Sequence, residues 1–110
     1  MKNMMDMMNI MKKAQAVQTQ AAALQNKMEN TNFTGEAAKG AVKITMTGKF
    51  KPVKVELDKS VVDPSDIETL EDLILVAMTD AKEKADKATD AAMESMKSNL
   101  GLPENFKLPF

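Results

Sequence analysis

The first thirty residues contain neither proline nor glycine, and their apolar side chains recur at alternating spacings of three and four. Met, Ala, Gln and Lys dominate this stretch, and all four favour helix. A helix over residues 1–30 would be ~45 Å long, which is too long for one small domain to cover completely. Its apolar positions form an a/d seam over three heptads: Met7, Ile10, Ala14, Val17, Ala21, Leu24 and Met28.

Asparagines and glycines end this helical pattern just after residue 30. Apolar and polar side chains then alternate through residues 42–47 and again through 53–58, which is the pattern of half-buried strands. A short edge strand at 33–37 precedes them. The sequence therefore predicts a three-stranded antiparallel sheet over residues 32–58.

A turn over Gly48–Lys51 sets the register of the two longer strands. Pro52 then opens its strand, and its missing amide is tolerated if that strand lies at the edge of the sheet. This register makes one face of the hairpin wholly apolar, and we expect Ile44 and Val55 to face each other in the core. The expected pairs are Val42 with Leu57, Ile44 with Val55 and Met46 with Val53 on that face, and Lys43 with Glu56 on the other.

A second long helix is expected after the sheet. Asp63 is its predicted N-cap and Pro64 its predicted first residue, and the first turns are acidic, as the helix dipole favours. We expect a helix over residues 64–99 and a proline-containing tail over 100–110. The apolar stripe of this helix is bulky at first and rich in alanine later: Leu70, Ile74, Ala77, Ala81, Ala85, Ala88, Ala92 and Met96.

These elements predict one α+β domain over residues 1–110. Its order is a long N-terminal helix, a three-stranded antiparallel sheet and a long C-terminal helix. A sheet of this size cannot cover the apolar seams of two long helices. The surplus predicts a symmetric homodimer from which the helices project as arms.

The residue types that the chain lacks exclude most enzyme chemistry. The 110 residues include no His, Cys, Trp or Tyr, so Ser-His and Cys-His nucleophile pairs cannot be built and the common zinc and copper sites are disfavoured. We expect a non-catalytic protein with no cofactor, metal or small-molecule substrate. No long apolar run predicts a membrane span, and the lack of cysteine fits a cytosolic protein.

The net charge of −1 conceals a strong separation of charge along the chain. Residues 1–38 carry +1, residues 39–54 carry +5 and residues 55–110 carry −7. Phosphate responds to the local field, so the basic hairpin is a candidate nucleic-acid surface. All 15 basic residues are lysines, which attract phosphate but lack the planar fork that reads guanine, so any sequence preference should be weak.

Six lysines are candidate phosphate contacts, four in or beside the hairpin and two on the first helix. The hairpin lysines alternatively keep an exposed sheet edge soluble, and the helix pair alternatively belongs to a solvated face. Lys43 is a weaker candidate because Glu56 should neutralise it. The six candidates are Lys12, Lys13, Lys39, Lys49, Lys51 and Lys54.

Three other features have an ordinary structural explanation beside a functional one. The methionines of residues 1–11 suit a promiscuous binding groove or, as we expect, packing on the partner subunit. Phe50 could stack on a base, but a contact in the dimer is the simpler expectation. Glu68 and Asp72 share a helix face and could hold a cation, although an acidic first turn is ordinary helix chemistry.

Several stretches resemble the YbaB/EbfC family of bacterial nucleoid-associated proteins, among them "IMKKAQAVQ", "GEAAKGAVKITMTGK" and "VELDKSVVDPSDIETLEDLILVAMTDAKEKA". The resemblance runs from about Met11 to Pro103. It implies a cytoplasmic, nucleoid-linked, DNA-binding homodimer with a central sheet region and projecting helices, and no catalytic residues. In some members the DNA contacts lie on the helical arms. The positions that match the usual first-helix pattern are Lys12, Ala14, Gln15 and Gln18.

The leading hypothesis is a nucleoid-associated protein that binds duplex DNA with low sequence specificity through lysine–phosphate contacts, with effects on nucleoid organisation and gene expression. The alternative is a non-catalytic scaffold or adaptor whose helical arms bind another protein.

Overall fold

The computed structural model describes residues 4–102 and contains a helix, three strands and a second helix in that order. The strands form one antiparallel sheet in the order β1-β2-β3. The predicted α+β class and element order are confirmed. Residues 1–3 of the predicted first helix and residues 103–110 of the predicted tail lie outside the described residues. The elements are α1 (Met4–Glu29), β1 (Asn32–Ala37), β2 (Val42–Thr47), β3 (Pro52–Leu57) and α2 (Ile67–Asn99).

The N-cap of α2 is Asp66, three residues later than the sequence predicted. The carboxylate of Asp63 accepts hydrogen bonds from the amide of Ser65 at 2.9 Å and from its hydroxyl at 2.7 Å, which makes a local turn. Asp66 accepts from the amide of Thr69 at 3.3 Å and from its hydroxyl at 2.7 Å. Both aspartates precede a nearby hydroxyl residue, so their spacing alone does not distinguish the turn from the cap.

The hairpin register is confirmed for three of the four predicted pairs. A bulge after Thr45 shifts the ladder, so that Met46 lies opposite Pro52 and not opposite Val53. Proline offers no amide to the ladder at this point, which removes one constraint on the pairing. The confirmed pairs are Val42 with Leu57, Lys43 with Glu56 and Ile44 with Val55.

The alanine-rich side of α2 rests directly on β1. Ala77, Ala81 and Ala85 are fully buried. A Cβ placed on Gly35 would collide with the helix backbone, at the carbonyl oxygen of Ala77 and the amide nitrogen of Ala81. Small residues on both elements therefore bring the backbones into contact. The core beside this contact packs Ala37, Val42, Ile44 and Met46 against Leu70, Leu73 and Ile74.

The free edge of β1 is closed by two side chains of α2. Asp80 accepts a hydrogen bond from the amide of Glu36 at 3.0 Å, and Lys84 donates to the carbonyl oxygen of Thr34 at 2.8 Å. The pKa of Asp80 lies below its ordinary value. The main cause is the hydrogen bond from the amide of Glu36, and the second is Lys84, whose Nζ lies 3.2 Å from the carboxylate. These contacts satisfy edge groups that could otherwise pair with another strand.

The apolar face of the hairpin is only half covered by the chain itself. Ile44 is 3% exposed, whereas Val55 lies opposite it on the same face and is 56% exposed. Leu57 is also exposed. The expectation that Val55 lies in the core of the chain is wrong, because a helix ~10 Å across covers about two strands spaced ~4.8 Å apart, and α2 lies over β1 and β2.

The second half of α1 packs against the end of α2, and the first half extends into solvent. Leu24 and Met28 form a small cluster with Met96. Residues 4–15 are all exposed. The chain accordingly measures 75 × 22 × 17 Å along its principal axes, as expected for a long arm on a small body.

Replacing Gly35 with Ala should strongly destabilise the fold, because the new methyl group meets rigid backbone. We expect a loss of about 3 kcal/mol or more in the free energy of unfolding, at the upper end of overpacking effects. Urea denaturation at fixed protein concentration measures this. Glu36→Ala changes the exposed neighbour on the same strand and should stay within about 0.5 kcal/mol of the parent. Equal midpoints for both variants would contradict the close contact.

Candidate nucleic-acid interface

The turn between β2 and β3, which we call the lysine turn (Gly48–Lys51), is organised around Thr47. The hydroxyl of Thr47 accepts hydrogen bonds from the amides of Lys49 and Lys51, each at 3.2 Å. Its amide donates to the carbonyl oxygen of Lys51 at 2.9 Å, and its carbonyl oxygen accepts from the amide of Phe50 at 2.9 Å. Thr47 is buried, and both lysines are exposed. The backbone is therefore held in place while two ammonium groups face solvent.

The lysine turn is fastened to both helices. The amide of Gly48 donates to the carbonyl oxygens of Met28 at 2.8 Å and Thr31 at 3.1 Å, and a Cβ on Gly48 would come within 2.8 Å of Met28. Phe50 has φ 65°, a left-handed conformation that is uncommon for a bulky residue. Its ring lies 5.1 Å from Nζ of Lys82 on α2, in the range of a cation–π contact.

Lys82 is a candidate contact that the sequence reasoning missed. It joins Lys49 and Lys51 because Phe50 lies beneath its ammonium group, and we call these three lysines the turn cluster. Lys82 also donates to Asp86 at 2.7 Å, which offsets part of its charge. No local signal could have found it, because Lys82 is distant in sequence and belongs to the acidic part of the chain.

Lys54, beside the turn on β3, is partly neutralised. Its Nζ lies 3.0 Å from the carboxylate of Glu56, two residues along the same strand. The prediction that Glu56 neutralises Lys43 is therefore wrong, although Lys43 and Glu56 do lie opposite each other. The pair is exposed and contributes little to stability, but it lowers the positive charge that Lys54 offers to phosphate.

Lys39 lies at the other end of the sheet from the lysine turn. It occupies a left-handed turn between β1 and β2, with φ 56° and ψ 38°, and the six residues of β2 place it ~20 Å from the turn cluster. Ala37 at this end packs with Leu70 and Ile74 from the start of α2. Because the acidic first turns of α2 share this end of the sheet, the positive potential is weaker here.

Lys12 and Lys13 lie on the exposed first half of α1. They stand ~24 Å along the helix axis from Met28, the residue that touches the lysine turn. Within residues 4–102, the ion pairs include none of Lys12, Lys13, Lys39, Lys49 and Lys51. Within one chain the six predicted lysines therefore lie in three places. Three are at or beside the hairpin turn, one is at the far end of the sheet, and two are on the arm.

Other kinds of site find little support in the part of the chain that the structure describes. Glu68 and Asp72 are exposed on α2, and residues 4–102 hold no group of three or more acidic side chains arranged around a metal position. None of the helices in that range has a stretch long and apolar enough to cross a membrane.

Comparison with known proteins assigns this arrangement to a family. The profile of the YbaB/EbfC DNA-binding family matches residues 2–100, nearly the whole chain. The chain belongs to this family. The resemblance drawn from the sequence is thereby confirmed.

Relatives in other bacteria support the YbaB/EbfC assignment over almost their full length. A nucleoid-associated protein of Paramagnetospirillum magneticum is 46% identical over 102 residues, covering 93% of this chain and 95% of the relative. One from Bartonella henselae is 44% identical, covering 97% and 99%, and one from Maricaulis maris is 38% identical, covering 97% and 100%.

A solved structure supports the fold. The crystal structure of an uncharacterized protein from Helicobacter pylori superposes with a TM-score of 0.65 at 18% identity, covering 76% of this chain and 87% of the other. At this identity the likeness concerns the fold alone.

Replacing Thr47 with Val should loosen the lysine turn. Valine keeps the volume of Thr47 but removes the acceptor for the amides of Lys49 and Lys51. Amide hydrogen exchange followed by NMR should become faster at those two residues, and stability should fall by about 1–2 kcal/mol. Thr47→Ser keeps the hydroxyl and is the matched control. Equal exchange rates in the two variants would show that the hydroxyl does not hold the turn.

Proposed function

We propose that this YbaB/EbfC-family chain binds duplex DNA through lysine–phosphate contacts. The observation that carries the proposal is the lysine turn, which presents Lys49 and Lys51 on a hydrogen-bonded backbone beside Lys82. Neither turn lysine takes part in an ion pair within residues 4–102. Such lysines bind phosphate by releasing the counterions of DNA. Lys12 and Lys13 on the arm, Lys54 and Lys39 are further contacts.

The sequence preference of this binding should be low. The chain has no arginine, and lysine contacts to phosphate carry no base information. We assign the protein no catalytic role, cofactor or small-molecule substrate, and place it in the cytoplasm on the nucleoid. There it would affect nucleoid organisation and gene expression. The names of its relatives as nucleoid-associated proteins support this placement.

The proposed DNA-binding form is a symmetric homodimer. Val55 and Leu57 on β3 and Leu75 and Met78 on α2 are all between 42% and 61% exposed, and we call these four residues the sheet–helix patch. The inner face of β3 lies uncovered beside α2, while the edge of β1 is closed by Asp80 and Lys84. A twofold interface on this patch would bury apolar surface that one chain leaves in water.

The dimer can be tested with two substitutions at directly opposed positions. Val55→Asp should leave the chain folded and lower its mass in light scattering from twice 12.1 kDa to 12.1 kDa, because a carboxylate in the patch opposes association. Ile44→Asp should instead unfold the chain, because it buries an unpaired charge under α2 at a cost of several kcal/mol. A folded Val55→Asp dimer would move the interface elsewhere.

The phosphate contacts can be tested by a salt series. Replacing Lys49 and Lys51 with Ala removes up to four contacts from a dimer, so the slope of log affinity against log salt on B-DNA should fall by up to ~3.6. Exposed turn positions should change stability by less than about 0.5 kcal/mol. A Lys39/Lys59 double variant removes the same charge at the other end of the sheet and should have a smaller effect.

A Lys12/Lys13 double variant completes the series. Loss of affinity in this variant alone, measured at a concentration where parent and variant have the same mass in solution, would move the DNA site to the arms. Unchanged affinity and slope in both the turn and the arm variants would overturn the phosphate proposal. The scaffold alternative, in which the arms bind another protein, would then lead.

A further inference from the structure

The apolar seam of α1 continues well beyond the part that its own chain covers. Val17 is 8% exposed and Ala21 is 4% exposed, where the seam packs within the chain. Met7 and Ile10 occupy the same stripe about three and two turns before Val17, and they are 63% and 59% exposed. One half of the apolar stripe is buried within the chain and the other half is exposed to solvent. Such a stripe indicates that a second helix packs on the exposed half.

The charges beside the open seam identify which helix fits it. With Met7 and Ala14 at a and Ile10 at d, the flanking g positions hold Asp6 and Lys13, one acidic and one basic. The e positions on the other flank hold methionines, Met4 and Met11. The outward f position at residue 12 is a lysine. The seam thus has one flank of opposite charges and one flank of flexible apolar side chains.

An antiparallel pair of two such segments makes both flanks complementary. When Met7 of one copy meets Ile10 of the other, the g positions of the two helices face each other, and Asp6 then lies opposite Lys13 twice. The e positions also face each other, which brings Met4 against Met11. A parallel pair would instead set Asp6 against Met11 and leave the charges unmatched, because g faces e in that arrangement.

The charged flank of the seam on α1 is slightly recessed. Asp6, Asn9, Ile10 and Lys13 line a shallow depression. Because Asn9 occupies an outward c position, this depression lies beside the a/d seam and not on it. The depression lies on the flank where the charges of a second copy would fall.

We infer that residues 4–14 of α1, the arm seam, pair antiparallel with the same segment of a second copy of this chain. Given the homodimer proposed above, each dimer carries two arm seams, so arm pairing joins dimers into longer assemblies. Lys12 points away from the seam in this arrangement and stays available to phosphate. On DNA, such pairing would make binding cooperative and would bridge separate duplex segments.

The test exchanges charges between copies and needs no DNA, so its outcome is independent of the DNA-binding proposal. Asp6→Lys alone sets lysines against lysines, and Lys13→Glu alone sets carboxylates against carboxylates. Sedimentation velocity over a concentration series should show about tenfold weaker assembly beyond the dimer for each variant alone, from the reversal of two ion pairs. A 1:1 mixture of the two variants should recover assembly, because each mixed arm pair restores both attractions.

A matched pair of neutral variants tests the apolar seam. Ile10→Gln places an amide in the seam and should abolish assembly beyond the dimer. Met8→Gln makes a similar change at an exposed position outside the a, d, e and g positions and should leave assembly unchanged. Circular dichroism confirms that both remain helical.

Three results would overturn the inference: a parent that stays a dimer and remains one after Ile10→Gln, a mixture that assembles no better than its components, or equal behaviour of Ile10→Gln and Met8→Gln. If Ile10→Gln yields monomers, the arm seam is itself the dimer contact. That result supports arm pairing and overturns the dimer on the sheet–helix patch.

Discussion

The position of α2 depends on one contact between backbones, where the helix rests on Gly35 of β1. No side chain separates the strand from Ala77 and Ala81 at this point, so the helix cannot rotate or shift without losing contact along both elements. This placement puts β2 in the core and leaves β3 uncovered. It also carries Lys82 to the lysine turn and brings the far half of α2 alongside α1. The candidate interface and both open apolar surfaces follow from it.

This packing determines which charged side chains lie near each other. Along the sequence, α2 belongs to the acidic part of the chain, yet its middle turns contribute a lysine to the basic hairpin. Its acidic first turns lie at the other end of the sheet, beside Lys39. One helix therefore places a lysine, partly neutralised by Asp86, at one end of the hairpin and its acidic first turns at the other. This difference is why we propose the turn, and not the whole hairpin, as the phosphate site.

The three surfaces of the proposed mechanism occupy different parts of the chain. The turn cluster lies where the hairpin meets both helices, the sheet–helix patch lies on the face beside it, and the arm seam lies at the free end of α1. A protein with separate surfaces for DNA, for its dimer partner and for further copies could cover and bridge duplex DNA without reading its sequence. That combination suits a lysine-rich member of a DNA-binding family.

The features that the sequence determined are those set by local chemistry. The periodicity of apolar residues predicted the two helices and three strands. The turn at Gly48–Lys51 predicted most of the hairpin register. The absence of arginine indicated that any preference for a DNA sequence is weak. The tertiary structure decided everything that depends on which surfaces meet. Val55 and Ile44 have the same sequence pattern, but Val55 is exposed because one helix is too narrow to cover it. Glu56 has two lysines within reach, and only the structure shows that it pairs with Lys54. Lys82 contacts Phe50 only because Gly35 lets α2 lie close to the sheet. These two residues are distant in the chain, so no local sequence pattern predicts their contact.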